Sequence, residues 1–203
     1  MDRFWLLTWT TYGTWPPGED RGFVSNVRVG PGPEVRHNTP GTPLDQAMPA
    51  LKAAAQARMK GEPVALTPEQ AAEIVAQILE TADHRGWTVL AVAVMWNHVH
   101  VVVGVAGDPD PADLLRDFKS YAARRLNKTW GKPPGGTWWT ESASRRILRG
   151  DGAVPAAVNY VACRQPYPLA TWLAGHLRSC RDIRGLTPPA RRFPVFPFQK
   201  LPG

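Results

Sequence analysis

The sequence predicts an α+β fold, an antiparallel sheet with helices on one face. Three observations lead there. Short runs rich in β-branched and aromatic residues alternate with segments whose apolar residues recur every three or four positions. Their order reads strand, helix, strand, strand, helix, strand. Only Trp96-Asn97 separates the two middle strands, a connection short enough for a hairpin.

The elements follow in turn. Residues 4–11, Phe-Trp-Leu-Leu-Thr-Trp-Thr-Thr, suit a first strand that ends at Tyr12-Gly13. Residues 15–65 hold eight prolines and six glycines and read as a long irregular insertion, with a short helix over 49–60. Thr67-Pro68-Glu69-Gln70 starts the first main helix: Thr67 caps it, Pro68 takes its first turn and Gln70 completes a capping box. Ile74, Ile78 and Leu79 form its apolar stripe, and Gly86 ends it. Residues 87–95 and 97–105 are the paired strands. Asp110 caps a second helix running to about Lys128, with Leu115, Phe118, Ala122 and Leu126 as its buried stripe. Residues 138–148 read as a fourth strand and 156–164 as a third helix. Together these make a ferredoxin-like βαββαβ unit.

Composition bounds the function. The 203 residues fit one domain with appendages, and 43% hydrophobic content allows an ordinary core. A net charge of +7 favours a polyanionic partner such as nucleic acid. Cys163 and Cys180 stand in neither a CxxC nor a zinc-ribbon spacing and read as reduced thiols. No run approaches a membrane span or a signal peptide, so the expectation is a cytoplasmic protein without membrane contact. The tail beyond Gln165 carries Arg178, Arg181, Arg184, Arg191 and Arg192 among prolines and reads as a basic arm.

The chemistry concentrates in Asn97-His98-Val99-His100. Alternation along a strand puts both histidines on one face, about 6.6–7 Å apart at the backbone, while Val99, Val101 and Val103 face the core. Buried imidazoles need partners, and a shared metal ion would satisfy both. The alternative is structural or surface histidines.

These features resemble the single-tyrosine HUH transposases, closest to their relatives associated with repetitive extragenic palindromes. The likeness rests on the order of elements, Asn97-His98-Val99-His100, Tyr121 in the next helix and Trp138-Trp139-Thr140. It spans residues 4–13 and 67–165. It implies a catalytic domain over 1–165, with 14–65 as an insertion and 166–203 as a tail. It further implies that His98 and His100 bind Mg²⁺ or Mn²⁺, imidazole suiting Mn²⁺ better. Tyr121 would cut single-stranded DNA near a hairpin, leaving a 5′-phosphotyrosine and a free 3′-hydroxyl that can rejoin strands. Tyr12, Tyr160 and Tyr167 read as structural. Relatives of the mobile-element type work as dimers and those of the palindrome type can be monomers, and the chain leaves both states open.

One departure stands out. Family members commonly place Gln or Asn one helical turn after the nucleophile as a further ligand, and here Arg125 holds that place. Glu141 and Asp117 are the substitute candidates for a third ligand. Arg116, Lys119, Arg124, Arg125 and Lys128 on the second helix, with Arg145, Arg146 and Arg149 after it, are candidates for phosphate contacts. Trp138 or Trp139 could stack an unpaired base. Two other readings remain: a domesticated hairpin DNA- or RNA-binding protein that cleaves poorly, favoured by Arg125, and a hydrolase using a metal-bound water.

Overall fold

The computed structural model describes residues 3–23, 44–141 and 143–175. Among these residues five strands form one sheet in the order β4-β1-β3-β2-β5, every neighbouring pair antiparallel. The strands are β1 (Arg3–Thr10), β2 (Thr88–Val94), β3 (His98–Val105), β4 (Ser144–Leu148) and β5 (Ala170–Leu173), and the helices are α1 (Pro49–Ala57), α2 (Pro68–Arg85), α3 (Pro111–Trp130) and α4 (Ala153–Cys163). The predicted βαββαβ unit is present, with α2 and α3 on one face. Its order β4-β1-β3-β2 is that of a ferredoxin-like sheet, and β5 extends it.

Local signals fixed the helix starts. Thr67 Oγ1 accepts from Gln70 N at 3.3 Å and Gln70 Oε1 accepts from Thr67 N at 3.0 Å, the reciprocal cap expected. Gly86 closes α2 at φ 67°, which lies in the left-handed region where a side chain would be strained. Asp110 Oδ1 caps α3 by accepting from Ala112 N at 2.8 Å.

The main core lies between the sheet and the α2–α3 pair. Trp5, Leu7, Trp9, Val99, Val101 and Val103 meet Ile74, Ile78, Leu114, Phe118 and Leu126. The other face is covered in part by α4, whose Ala157, Val158 and Val161 pack on Leu6, Ala91, Ala93, Val102 and Leu148. In β2 the register shifts between Val89 and Ala91. The bulge reverses the alternation, so Val89, Val92 and Val94 face α2 and α3 while Ala91 and Ala93 face α4.

Two segments differ from expectation. Trp138 and Trp139 lie outside β4, held by a single bridge from Trp139 to Thr11. Both are buried, with indole N–H groups donating to Asn127 Oδ1 at 2.8 Å and to the Lys119 carbonyl at 2.9 Å. They are core residues, so stacking on a base is not their role. The start of the supposed tail forms β5 on the free edge of β2. Residues 176–203, with all five tail arginines and Cys180, lie outside the described residues, as do 24–43. Cys163 is disulfide-bonded, contrary to the reduced thiol expected.

The described parts of Met1–Thr14 and Lys60–Pro188 make one compact unit and those of Trp15–Met59 another. In the second, Lys52 at the start of α1 binds Glu19 at 2.9 Å and Asp20 at 3.1 Å. No helix among the described residues is long and apolar enough to cross a membrane.

Candidate active site

Alternation in β3 sends His98, His100 and Val102 to the α4 face, and the odd-numbered valines to the α2–α3 face. The two imidazole rings stand 4.8 Å apart between centroids, at 81° to one another. His98 Nδ1 lies 2.6 Å from Asn97 Oδ1 and His100 Nδ1 lies 2.7 Å from Thr8 Oγ1. His100 is 2% exposed, and its Nε2 has no hydrogen-bond partner among the described residues. A buried, unsatisfied imidazole nitrogen next to a second imidazole fits a borderline divalent cation. Among the described residues no third His, Cys, Asp or Glu completes the group.

Burial, with the charge of His98 secondary, pushes the His100 pKa well below 6.5. The folded state therefore keeps this ring neutral, as a metal ligand must be. The sign follows: the unfolded chain takes up a proton below pH 6.5 that the native ring refuses, so stability falls as pH drops below that value. Urea titrations in chelator should show this loss, and His100→Gln should reduce it.

The structure does not bring Tyr121 to the histidines. Tyr121 lies on α3, across the sheet, with the Arg124 guanidinium 5.0 Å from its ring centre. Asp117 is on the same helix, paired with Arg85 at 2.8 Å, so it too is separated from the histidines by the sheet. Glu141 is exposed in the segment before β4 and joins no ligand group.

The tyrosine whose ring meets the histidine pair is Tyr160 of α4, through His100. Its ring lies 5.4 Å from that of His100, at 68°. Burial raises its pKa, and a hydrogen bond from the Gln165 side chain works against that rise. Gln165 Nε2 also donates to the Tyr160 carbonyl at 3.1 Å, folding the amide back onto the helix end. Reading Tyr160 as structural missed this. One signal was available: an amide, Gln165, lies five residues after Tyr160, whereas the first amide after Tyr121 is Asn127, six residues on.

The basic residues of α3 are also accounted for. Arg125 pairs with Glu73 and, at 2.9 Å, with Glu80, pinning α3 to α2. Lys119 Nζ donates to the carbonyls of Thr140 at 2.6 Å and Glu141 at 3.1 Å, and burial lowers its pKa. Arg116 pairs with Asp113 at 2.6 Å. Arg124 and Lys128 are exposed on the same helix. In β4, Arg146 stands opposite Leu6 and shares the histidine face, while Arg145 stands opposite Leu7 and faces the other way.

The family model for IS200-like transposases matches residues 57–161, just over half of the chain, from the end of α1 to the residue after Tyr160. The chain belongs to that family. Solved structures similar to this IS200-like transposase include a candidate transposase from Deinococcus radiodurans R1, at 18% identity over 77% of this chain and 85% of that one, with a TM-score of 0.42. Another is a REP-associated tyrosine transposase bound to a REP hairpin, at 14% identity over 99% and 93%, with a TM-score of 0.45. No curated protein matches the sequence.

Proposed function

We propose that this transposase nicks and rejoins single-stranded DNA beside a hairpin, with Tyr160 as the nucleophile and with His98, His100 and the Gln165 amide oxygen holding Mg²⁺ or Mn²⁺. The observation that carries this reading is the approach of Tyr160 to His100 on the α4 face of the sheet. When bound, the metal would act as a Lewis acid on the phosphate oxygens. Tyr160 Oη forms a bond to phosphorus while the bond to the 3′-oxygen breaks, giving a 5′-phosphotyrosine and a 3′-hydroxyl. Attack by a 3′-hydroxyl on that ester reverses the step and conserves the number of phosphodiester bonds. The half-buried Tyr160 phenol resists ionisation, and the Gln165 side chain offsets part of this cost. With Tyr160 in this role, Arg125 no longer bears on the metal site; the residue four positions after Tyr160 is Arg164, and the amide stands one position further on, at Gln165.

The test is a denaturing gel of the full chain with labelled hairpin oligonucleotides from DNA flanking the gene, in Mn²⁺ or Mg²⁺. A metal-dependent covalent adduct is expected. Cleavage without an adduct would instead support a hydrolase that activates water, and binding alone would support the domesticated protein.

The two faces of β4 give a second prediction. Substituting Arg146→Ala should weaken binding of a labelled single strand and reduce the slope of log affinity against log salt by about one contact. Arg145→Ala should leave both unchanged. Fluorescence anisotropy at several salt concentrations reads both.

A further inference from the structure

We infer that Thr8 and Asn97 are positioning residues that fix both imidazoles with Nε2 turned to the metal, an inference resting on the metal site proposed above. The argument starts from what each partner can do. An amide oxygen only accepts, so Asn97 Oδ1, 2.6 Å from His98 Nδ1, requires a proton on that nitrogen and makes Nε2 the lone-pair nitrogen. A hydroxyl can donate or accept. If Thr8 Oγ1 donated to His100 Nδ1, 2.7 Å away, the proton would sit on His100 Nε2, a buried atom with no acceptor among the described residues. Burying a donor without an acceptor is costly, whereas a lone pair there can take a cation. The favoured arrangement therefore has His100 Nδ1–H donating to Thr8.

The backbone makes this possible. Thr8 stands directly opposite His100 in the β1–β3 ladder, and the two side chains share a face. Asn97 occupies the turn closed by the bond from Met95 N to the His98 carbonyl at 2.8 Å. Each histidine is thus held from a different element, one from the adjoining strand and one from its own hairpin turn. Partners of this kind orient ligating imidazoles and raise their basicity.

The experiment uses the full chain and two readouts. Long-range ¹H–¹⁵N correlation spectra of the metal-free protein should show His98 and His100 protonated at Nδ1, and Thr8→Val should lose that form at His100. Calorimetric titration with Mn²⁺ should show affinity falling about 10- to 100-fold in Thr8→Val and recovering in Thr8→Ser. Circular dichroism of each variant checks that the sheet is intact. If Thr8→Val does not fold, Thr8→Ser and the wild-type spectrum still decide the matter. A wild-type His100 protonated at Nε2, or Thr8→Val binding Mn²⁺ as tightly as wild type, would overturn the positioning role alone. A wild-type protein that takes up no Mn²⁺ would overturn the metal site and this inference with it.

Discussion

Tyr160→Phe is expected to abolish the covalent protein–DNA adduct, with strand cleavage falling about 10⁴- to 10⁶-fold, the scale on which losing a nucleophile acts. The variant keeps the ring that packs near His100 and removes only the hydroxyl that would attack phosphorus. Metal binding and DNA binding should survive, so a gel-shift signal without an adduct is the expected pattern. Tyr121→Phe is the informative control. Its ring can still receive the Arg124 guanidinium, and activity should stay within about twofold of wild type. An adduct that persists in Tyr160→Phe and vanishes in Tyr121→Phe would sink the assignment, because it would place the chemistry on the opposite face of the sheet.

The largest expected loss of stability comes from Phe118→Ala. Phe118 is fully buried between α3 and the sheet, and its ring meets Trp87 edge to face at 5.3 Å between centroids. Truncation leaves a cavity in a core shared by α2, α3 and three strands, at a cost of about 3–5 kcal/mol. That is a large part of the 5–15 kcal/mol typical of a domain. Urea denaturation should show a lower midpoint with an unchanged slope. Because Phe118 points away from the histidines, Mn²⁺ affinity of the folded fraction should not change.

The parts legible in the sequence were those with local causes. The Thr67 capping box, the Asp110 cap and the Gly86 stop each act within one helical turn, so the starts of α2 and α3 and the end of α2 could be read directly. The pairing of His98 and His100 on one face follows from strand alternation alone. What sequence reasoning missed depends on distant contacts. Trp138 and Trp139 have the aromatic character of a strand, yet their indole N–H groups are satisfied by α3, and packing decides their place. The short β5 strand, Ala-Thr-Trp-Leu, follows Pro166 and Pro168 and forms only because the edge of β2 offers it partners. Nor can a chain show which helix covers which face. Tyr121 follows His100 closely in sequence, but the sheet separates them, and Tyr160 reaches the histidines from 60 positions further on.

The bulge in β2 carries a consequence for the height of Tyr160 above the sheet. By reversing the alternation it presents Ala91 and Ala93, two of the smallest side chains in the sheet, to the underside of α4. Ala93 stands directly beside His100 in the ladder. These methyl groups act as a spacer of minimum thickness, letting the helix settle close enough for its tyrosine ring to meet the imidazole. A bulky side chain at Ala93 would lift α4 like a shim under a beam, parting Tyr160 from His100 while leaving both residues unaltered. Reach between Tyr160 and the histidine pair is thus set by the residues that stay small beneath the helix.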